Sequence, residues 1–486
     1  MSSIQKIFVL ILFYFGFVQI LSAQPCYVNQ VVTSTFATGG TSPYRSDVLW
    51  LTWGSELNNQ KSFPYGRHGQ NLNVGSKSRA SIHLGGNSYL CIEVEITNIT
   101  NGTINSYAPG NYGGDSMDKL YNIGGTGSNN KLVCGIINRV NGGNSTITFK
   151  AKAKINGEPI RLSGLAIADA ESLARNDEYI KATAFGDWNV VDIRKNTSSN
   201  NYRIAKRKVN TNQQRIEFLE GNDANTGAVA FLEFNQYAYN TSDEFAVEFS
   251  AELKGAGLTA LAIGLLTPNA DLGDAPESYG APFHLVQNLK VTTDGISVTT
   301  NGSTNINTSN YVPGSLAVYD GKFLGSTPPD GDYEPKYSRD ALGDNNTGIG
   351  GVIEEDAWPQ QYKSFSYKIN YSPGNQINTN IPFKNGQVGD RISGWIDFDL
   401  NGRFDEYERQ TKQITSTDIS NGYVNLIWTV PATRVVKSTY VRLRYFDSKE
   451  DYISPTQPVN FGEVEDHRMV ILIPKLTNPM LQNTNK

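Results

Sequence analysis

Strand-like alternation, broken by turn residues every 8 to 12 positions or so, constrains this chain more than any other feature of its sequence. It recurs in "CIEVEI" from Cys91, "STITFKAKAKI" from Ser145, "GAVAFLEF" from Gly227 and "EFAVEFSAEL" from Glu244. It returns in "GDRISGWIDFD" from Gly389, "STYVRLRYF" from Ser438 and "HRMVILI" from His467. Gly, Asn, Ser and Pro punctuate the gaps between these stretches. A period of two places successive side chains on opposite faces of a sheet, so the pattern predicts β-sandwiches or jelly rolls rather than a parallel sheet with crossover helices. The texture agrees: 46 Gly, 25 Tyr and 21 Phe against 4 Met, with only 18% charged residues, describe an all-β chain with many turns. One stretch, "ADAESLARNDEYI" from Ala168, reads either as a short helix or as an acidic loop.

The amino terminus sets the compartment. Lys6 precedes an almost wholly apolar run from Ile7 to Ile20, and "LSA" ends at Ala23. That arrangement predicts a secretory signal peptide over 1–23 cut after Ala23, hence a secreted or cell-surface protein. Cys26 stands three residues past the cut, which disfavours a lipid-anchored start, and no later apolar run approaches the roughly 18 residues of a membrane span. A net charge of −5 offers no basic field for nucleic acid or anionic lipid.

The export route permits disulfides, and three cysteines are present: Cys26, Cys91 and Cys134. Cys91 falls on the polar face of its alternating strand. Cys134 sits in the continuous apolar run "KLVCGII". A Cys91 to Cys134 bridge competes with a buried free thiol at Cys134, because spacing does not fix connectivity.

The clearest junction is "LLTPNADLGDAPESYGAPFH", where Pro268, Pro276 and Pro282 interrupt any ladder. It divides the chain near residue 270 into domains of 24–270 and 271–475, with a polar, disordered tail over 476–486. Within the second domain, "STPPDGDYEPKYSRDALGDNNTGIGGVIEEDAW" is too polar for a core and too acidic for an inert linker, so it is read as a long ligand- or ion-holding loop.

The strongest chemical motif is "GWIDFDLNGRFDEYE", residues 394–408. On a twelve-residue calcium loop, Asp397, Asp399 and Asn401 fill the first, third and fifth positions, and Gly402 the sharp-turn sixth. Arg403 supplies the seventh-position carbonyl, Asp405 the ninth ligand and Glu408 the bidentate twelfth. The flanks "RISGWI" and "RQTKQITST" lack a helical stripe, so strands are expected on both sides. Calcium is the cofactor this spacing implies, as a structural staple; a solvated acidic hairpin turn is the competing reading.

A further acidic site is conceivable from Glu354, Glu355 and Asp356 together with Glu463, Glu465 and Asp466, since an extended backbone places Glu463 and Glu465 on one face. In the first domain, Trp50 and Trp53 in "LWLTWG" point to opposite faces of a strand, which leaves one ring for the core and one exposed; Trp53 is the candidate ligand platform. Asp169 and Glu171 share a side of their segment and are candidates for holding a ligand or cation. A glycosidase pair is the enzymatic alternative.

The four histidines, His68, His83, His284 and His467, are isolated, and neither a His-Glu-x-x-His nor a Gly-x-Ser-x-Gly motif occurs. The chain is therefore read as a binding protein rather than an enzyme. A secreted carbohydrate-active enzyme and a purely structural surface module remain the alternatives.

The pieces "DLGDAPESYG", "EEDAW", "GWIDFDLNGRFDEYE", "YVRLRYF" and "GEVEDH" occur in the order of the bacterial GEVED domain, which 271–474 thus resembles. His467 replaces the family's usual Tyr and Ala357 its usual Gly. In the first domain, "VLWLTWG", "GLAIADAES", "IKATAFGDWNVVD", "GAVAF" and "LLTPNADLGDAP" resemble the lectin-like non-repetitive region of CshA-type fibrillar adhesins. These resemblances imply a jelly-roll or lectin-like sandwich followed by a GEVED β-sandwich. They further imply an adhesin-like function toward an extracellular matrix glycoprotein or glycan.

Overall fold

The computed structural model describes residues 26–27, 34–36, 47–55, 66–85, 88–109, 132–170, 173, 177–195, 203–219, 227–286, 294–306, 321–329, 332, 336–343, 353–371, 374–432, 436–448, 450, 452–459 and 461–473. The expected signal peptide over 1–23, Glu171 and the expected tail over 476–486 lie outside the described residues. The stretch from Ala168 closes one strand at Asp169 and opens the next at Tyr179, with no helix among its described residues.

Two large antiparallel sheets build the first sandwich. One, of nine strands, runs Asn189–Lys195, Ala228–Glu233, Gly164–Asp169, Ala260–Leu266, Gly135–Asn138, Ile104–Tyr107 and Asn71–Leu72, with Val48–Trp50 also paired to Ala260–Leu266 and Thr35–Phe36 beyond it. The other, of ten, has the main path Ser303–Ile306, Arg203–Asn210, Gln213–Leu219, Tyr179–Phe185, Ala246–Lys254, Asn144–Ile155, Ser88–Thr100 and Lys77–Gly85. Ile92, Val94, Phe149, Ile180 and Phe218 from the second sheet meet Leu165, Ile167, Leu232 and Ile263 from the first across one core.

The two kinds of sequence pattern separate by sheet. Strands that alternate strictly, such as Ser88–Thr100 and Asn144–Ile155, lie in the ten-stranded sheet and bury every second residue. Their outer face is a lattice of ion pairs, including Lys77–Glu93 at 2.6 Å, Arg79–Glu93 at 2.8 Å and Lys150–Asp243 at 2.9 Å. Such half-buried, solvent-facing pairs add little stability each and keep a long sheet face soluble. The continuous apolar runs "GLAIAD", "AVAFLE" and "ALAIGLL" lie in the nine-stranded sheet and are buried throughout. A second buried cluster, with Val48, Trp50, Ala166, Ala168, Val229, Phe231 and Leu266, forms that sheet's far face. A strand buried on both faces has no use for alternation.

This layering decides between the two readings of the cysteines, against a Cys91 to Cys134 bridge and for a buried free thiol at Cys134. Cys91 lies on the solvent side of the ten-stranded sheet, whereas Cys134 belongs to the cluster behind the nine-stranded one, so the whole core separates them. Cys91 is instead joined to Cys26, with Cα atoms 5.6 Å apart, and Cys134 is a buried free thiol whose pKa burial pushes up.

The second sandwich stacks a five-stranded sheet on a three-stranded one. The former has the order Ser364–Ser366, Val464–Leu472, Lys437–Phe446, Arg391–Ile396 and Arg409–Gln413; the latter, Phe323–Leu324, Gln376–Lys384 and Tyr423–Thr429. Ile377, Ile381, Ile392, Leu426, Trp428, Val441, Leu443 and Ile471 fill the space between.

The boundary between the sandwiches differs from the expected cut near 270. Ala270, Leu272 and Phe283 belong to the first core. Asp294 accepts from Lys206 Nζ at 2.6 Å and from the Val190 amide at 2.9 Å, and Ser303–Ile306 pairs with Arg203–Asn210. The first sandwich thus takes in Asp294 and Ser303–Ile306, while Asp271, Ala275, Tyr279 and His284, earlier in the chain, bond to the second. Prolines 268, 276 and 282 supply no amide hydrogen, yet the strands Asn269–Leu272 and Phe283–Val286 still pair across this stretch.

"YVRLRYF" contributes two guanidinium groups that are fully buried. Arg442 forms a bidentate pair with Asp466, Nε to Oδ1 and Nη2 to Oδ2 both at 2.7 Å, and its Nη1 donates to the Tyr279 and Pro455 carbonyls. Arg444 donates to the Ser454 and Gln457 carbonyls and, through Nε, to His284 Nε2 at 3.0 Å. Burial, then the neighbouring Arg442 cation, push Arg444 down to about 9. Because a guanidinium only donates, His284 Nε2 must accept, and the ring proton sits on Nδ1 facing the Phe461 carbonyl at 2.9 Å.

Burial and Arg444 hold the His284 pKa well below 6.5. Below pH 6.5 the folded state therefore binds fewer protons here than the unfolded chain, and stability falls as pH falls. His284→Gln, which keeps an acceptor but cannot titrate, should erase this loss. Between pH 6.5 and 5.5 the wild type is expected to lose about 1 kcal/mol relative to the variant. Buried Glu463 and Glu465, whose pKa values are raised, act in the opposite sense in both proteins, so the difference between the two denaturation midpoints is the quantity to read. Parallel midpoints across this range would contradict the neutral-histidine assignment.

Candidate functional site

The loop from Asp397 to Glu408 connects two paired strands, Arg391–Ile396 and Arg409–Gln413, with Trp395 opposite Arg409. Its frame is a β-hairpin, as the flanks predicted. Leu400 and Gly402 both adopt positive φ, 63° and 80°, which turns the chain back over the Asp397 carboxylate. That carboxylate accepts from the Leu400 amide at 2.6 Å and the Gly402 amide at 3.1 Å. Asp405 and Glu408 cap a short 3₁₀ turn over Glu406–Glu408.

Asp397, Asp399 and Glu408 converge: one oxygen from each lies within 4.8 Å of the others, and theirs is the only such group found among the described residues. Asp397 and Glu408 are buried and Asp399 is exposed, so the cluster opens to solvent on one side. Glu408 accepts from the amides of Phe398 at 2.6 Å and Asp405 at 3.1 Å, one on each oxygen, leaving a lone pair on both. Burial, followed by the charges of Asp397 and Asp399, pushes Glu408 up to about 7. Asp399 is held below its usual range, chiefly by the Tyr407 hydroxyl at 2.5 Å.

Three carboxylates with no cationic side chain among their recorded hydrogen-bond partners form an oxygen-only donor set, which fits a hard divalent cation such as calcium. The other loop positions fit less directly. The Asn401 amide nitrogen donates to Asp399 at 3.2 Å and to Asp405 at 2.6 Å, and Asp405 also faces Arg403 Nε at 3.3 Å. Spacing alone could not reveal Tyr279, which reaches across 118 residues to donate its hydroxyl to Asp397 at 2.6 Å. Burial, then Asp397, raise the Tyr279 pKa.

The acids considered for a further site go to different partners. Asp466 pairs with Arg442 and accepts from the Ala275 amide at 2.9 Å. Glu465 takes the Ala357 amide at 2.9 Å and His467 Nε2 at 2.8 Å, and His467 stacks on Trp358 at 6.4 Å. Glu355 accepts from the Asp466 amide at 3.3 Å, and Asp356 from Ser326 and Thr327. Glu463, fully buried, accepts from the Leu324 amide, and Glu354 is buried beside it. These carboxylates tie "GEVEDH", "EEDAW" and "DLGDAP" together through backbone amides. His467 and Ala357, the two departures from the usual pattern, both take part in that tie.

In the first sandwich, Trp50 and Trp53 do point opposite ways, one into each cluster flanking the nine-stranded sheet. Both are 0% exposed, so Trp53 cannot serve as a ligand platform; the expectation of one exposed ring fails because both faces of that sheet are covered. Asp169 is likewise fully buried at a strand end and is not presented to a ligand.

Residues 46–266 match the family model described as the surface adhesin CshA non-repetitive domain 2, and residues 391–470 match the GEVED domain. The second match leaves 271–390, with "DLGDAPESYG" and "EEDAW", outside it. Among solved structures, the N-terminal domain of a Streptococcus gordonii adhesin aligns over 91% of this chain and 88% of its own at 7% identity, with a TM-score of 0.26, too low to carry an argument. No curated protein matches the chain. No helix among the described residues is long and apolar enough to cross a membrane.

Proposed function

We propose that this chain, which joins a region similar to the CshA non-repetitive domain 2 to a GEVED domain, is a secreted or cell-surface adhesin that engages an extracellular glycoprotein or glycan through its first sandwich. Calcium held by Asp397, Asp399 and Glu408 stiffens the second. The match of 46–266 to a surface adhesin domain is the observation that carries the binding function. The convergence of three carboxylates supports the calcium component. Ordering the loop in advance lowers the entropy cost of holding the second sandwich in one conformation.

At about 2 mM calcium and a Kd of roughly 10⁻⁴ to 10⁻³ M, binding adds about 0.5–2 kcal/mol of stability, a rise of a few degrees in Tm. Glu408→Gln is expected to abolish that rise; since its amide nitrogen cannot accept the backbone N–H that one Glu408 oxygen accepts, each protein is compared with itself before and after chelator. Titration calorimetry of the wild type that gives no heat, together with melting curves unmoved by calcium, would remove calcium from the proposal. For the adhesin function, saturable binding without product release on an array of matrix glycoproteins and glycans is the supporting result. Turnover of an arrayed glycan would favour an enzyme instead, and silence a structural module.

A further inference from the structure

The ten-stranded sheet ends, at the turn after Tyr179–Phe185, in an open cleft of about 430 Å³ whose lining includes Phe185, Asp187 and Tyr237. That volume falls within the roughly 300–1,000 Å³ usual for small-ligand sites. Two aromatic rings are left in solvent here, Phe185 at 47% and Tyr237 at 73% exposure, in a sandwich whose other large rings at the core are covered. Gly186, at φ 82°, forms the floor: a Cβ there would lie 2.7 Å from Asn235 Cβ, so the position stays bare and the two lining segments touch backbone to side chain.

The polar groups around the rings are held in place. Asp187 Oδ1 accepts from Gln214 Nε2 at 2.8 Å, and Gln214 is itself buried and accepts from the Trp188 amide at 3.0 Å. Lys208 Nζ approaches the same Oδ1 at 3.7 Å, and the Asp187 side chain is 60% exposed. Asn235 uses its Oδ1 to cap the turn that presents Tyr237, at 3.0 Å from the Tyr237 amide, which frees its Nδ2 to donate. Thr211 and Asn212, exposed on the facing turn, add a hydroxyl and an amide, with the turn tied by the Asn212 carbonyl accepting from Gly186 at 2.9 Å.

Exposed ring faces flanked by a carboxylate, side-chain amides and a hydroxyl suit one ligand chemistry above others. A pyranose ring has an apolar C–H face that stacks on an aromatic side chain and a rim of hydroxyls that each need a donor and an acceptor. A peptide docking by hydrophobic anchors would need a dry apolar pocket, and an anionic ligand would meet Asp187. We infer that this cleft is a binding site for a neutral saccharide, stacked on Tyr237 and Phe185 with a hydroxyl on Asp187 Oδ2. The inference rests on the adhesin reading above and gives it a location in the first sandwich.

The test uses the full chain after signal removal and a panel of neutral di- and trisaccharides built from glucose, galactose, mannose and N-acetylglucosamine, followed by saturation-transfer NMR. Contact with the ring protons of at least one sugar is expected. Tyr237→Ala and Phe185→Ala, both truncations of exposed rings, should each weaken it about tenfold, the scale of an aromatic anchor, and Asp187→Asn should shift preference among sugars. Unchanged melting curves for the variants separate lost contact from lost fold. If no sugar on the panel binds, or if binding survives both truncations, the cleft is not a saccharide site. Retained binding to an enzymatically deglycosylated matrix protein in that case overturns the cleft while sparing the adhesin reading.

Discussion

Arg442→Met is expected to destabilise the second sandwich by about 3–5 kcal/mol, the usual consequence of removing one partner of a fully buried ion pair. For a cooperative unit of this size that is a fall of roughly 10 °C in Tm. Both Arg442 and Asp466 are 0% exposed, and the guanidinium also answers the Tyr279 and Pro455 carbonyls. The substitution leaves a carboxylate and two acceptors without their donor in a medium that cannot solvate them. The double variant Arg442→Met/Asp466→Leu should recover much of the loss, because it removes the stranded charge as well as its partner. Equilibrium denaturation of the two single variants and the double gives the coupling directly. A loss below about 1 kcal/mol for Arg442→Met alone would mean that the pair does not hold the loops around it.

Breaking the Cys26 to Cys91 bridge is the other large effect. The two residues are 65 apart in sequence, and closing a loop of that length removes chain entropy from the unfolded state worth roughly 4 kcal/mol. Cys26→Ser, Cys91→Ser or prior reduction should therefore lower the denaturation midpoint by similar amounts. The double serine variant should be no worse than either single one. Tyr27, next to Cys26, lies under the Arg79 guanidinium at 5.6 Å, so the amino-terminal segment has a second hold on the sheet, and the measured loss can fall short of the entropic figure. Thiol counting is a sharp check: one thiol in denaturant, assigned to Cys134, fits the structure, and a peptide containing a Cys91 to Cys134 link does not.

Much of this architecture could be read in the chain, because alternation is a local property. "CIEVEI" and "STITFKAKAKI" announce strands with one wet face, and those strands carry the ion-pair lattice. The hairpin frame around Asp397 was equally legible from the missing helical stripe in its flanks. What failed depends on layers that no short window contains. Trp53 was expected on an open face, but it faces the core between the sheets while Trp50 takes the cluster on the far side, and their own stretch says nothing of either layer. The cysteine pairing turned on which sheet each strand joins, and the domain limit on a strand, Ser303–Ile306, that joins the first sandwich from beyond an apparent junction. Tyr279 meets Asp397 only because two distant segments are brought to one corner.

The cleft at Phe185 and Tyr237 belongs to a third kind. Phe185 shares the outward face of its strand with Lys181 and Thr183, which marks it as a ring outside the core, but Tyr237, Asp187 and Asn212 read as ordinary turn residues. Their meeting depends on Tyr179–Phe185 and Gln213–Leu219 pairing so that Phe185 falls opposite Gln213. It depends also on Asn235 turning the chain to stand Tyr237 beside them.

The completion of the first sandwich by residues 294–306 bears on how such a unit can move between genes. The stretch that matches the CshA non-repetitive domain 2 spans 46–266, yet Cys26 precedes it and both Asp294 and Ser303–Ile306 follow it. A recombination event that transferred only 46–266 would deliver a sheet with an open lateral strand, a buried Lys206 lacking its counter-ion and an unpaired Cys91. Heritable shuffling of this sandwich must therefore take its flanks along or find substitutes for them in the recipient, which ties the evolution of the first sandwich to whatever follows it.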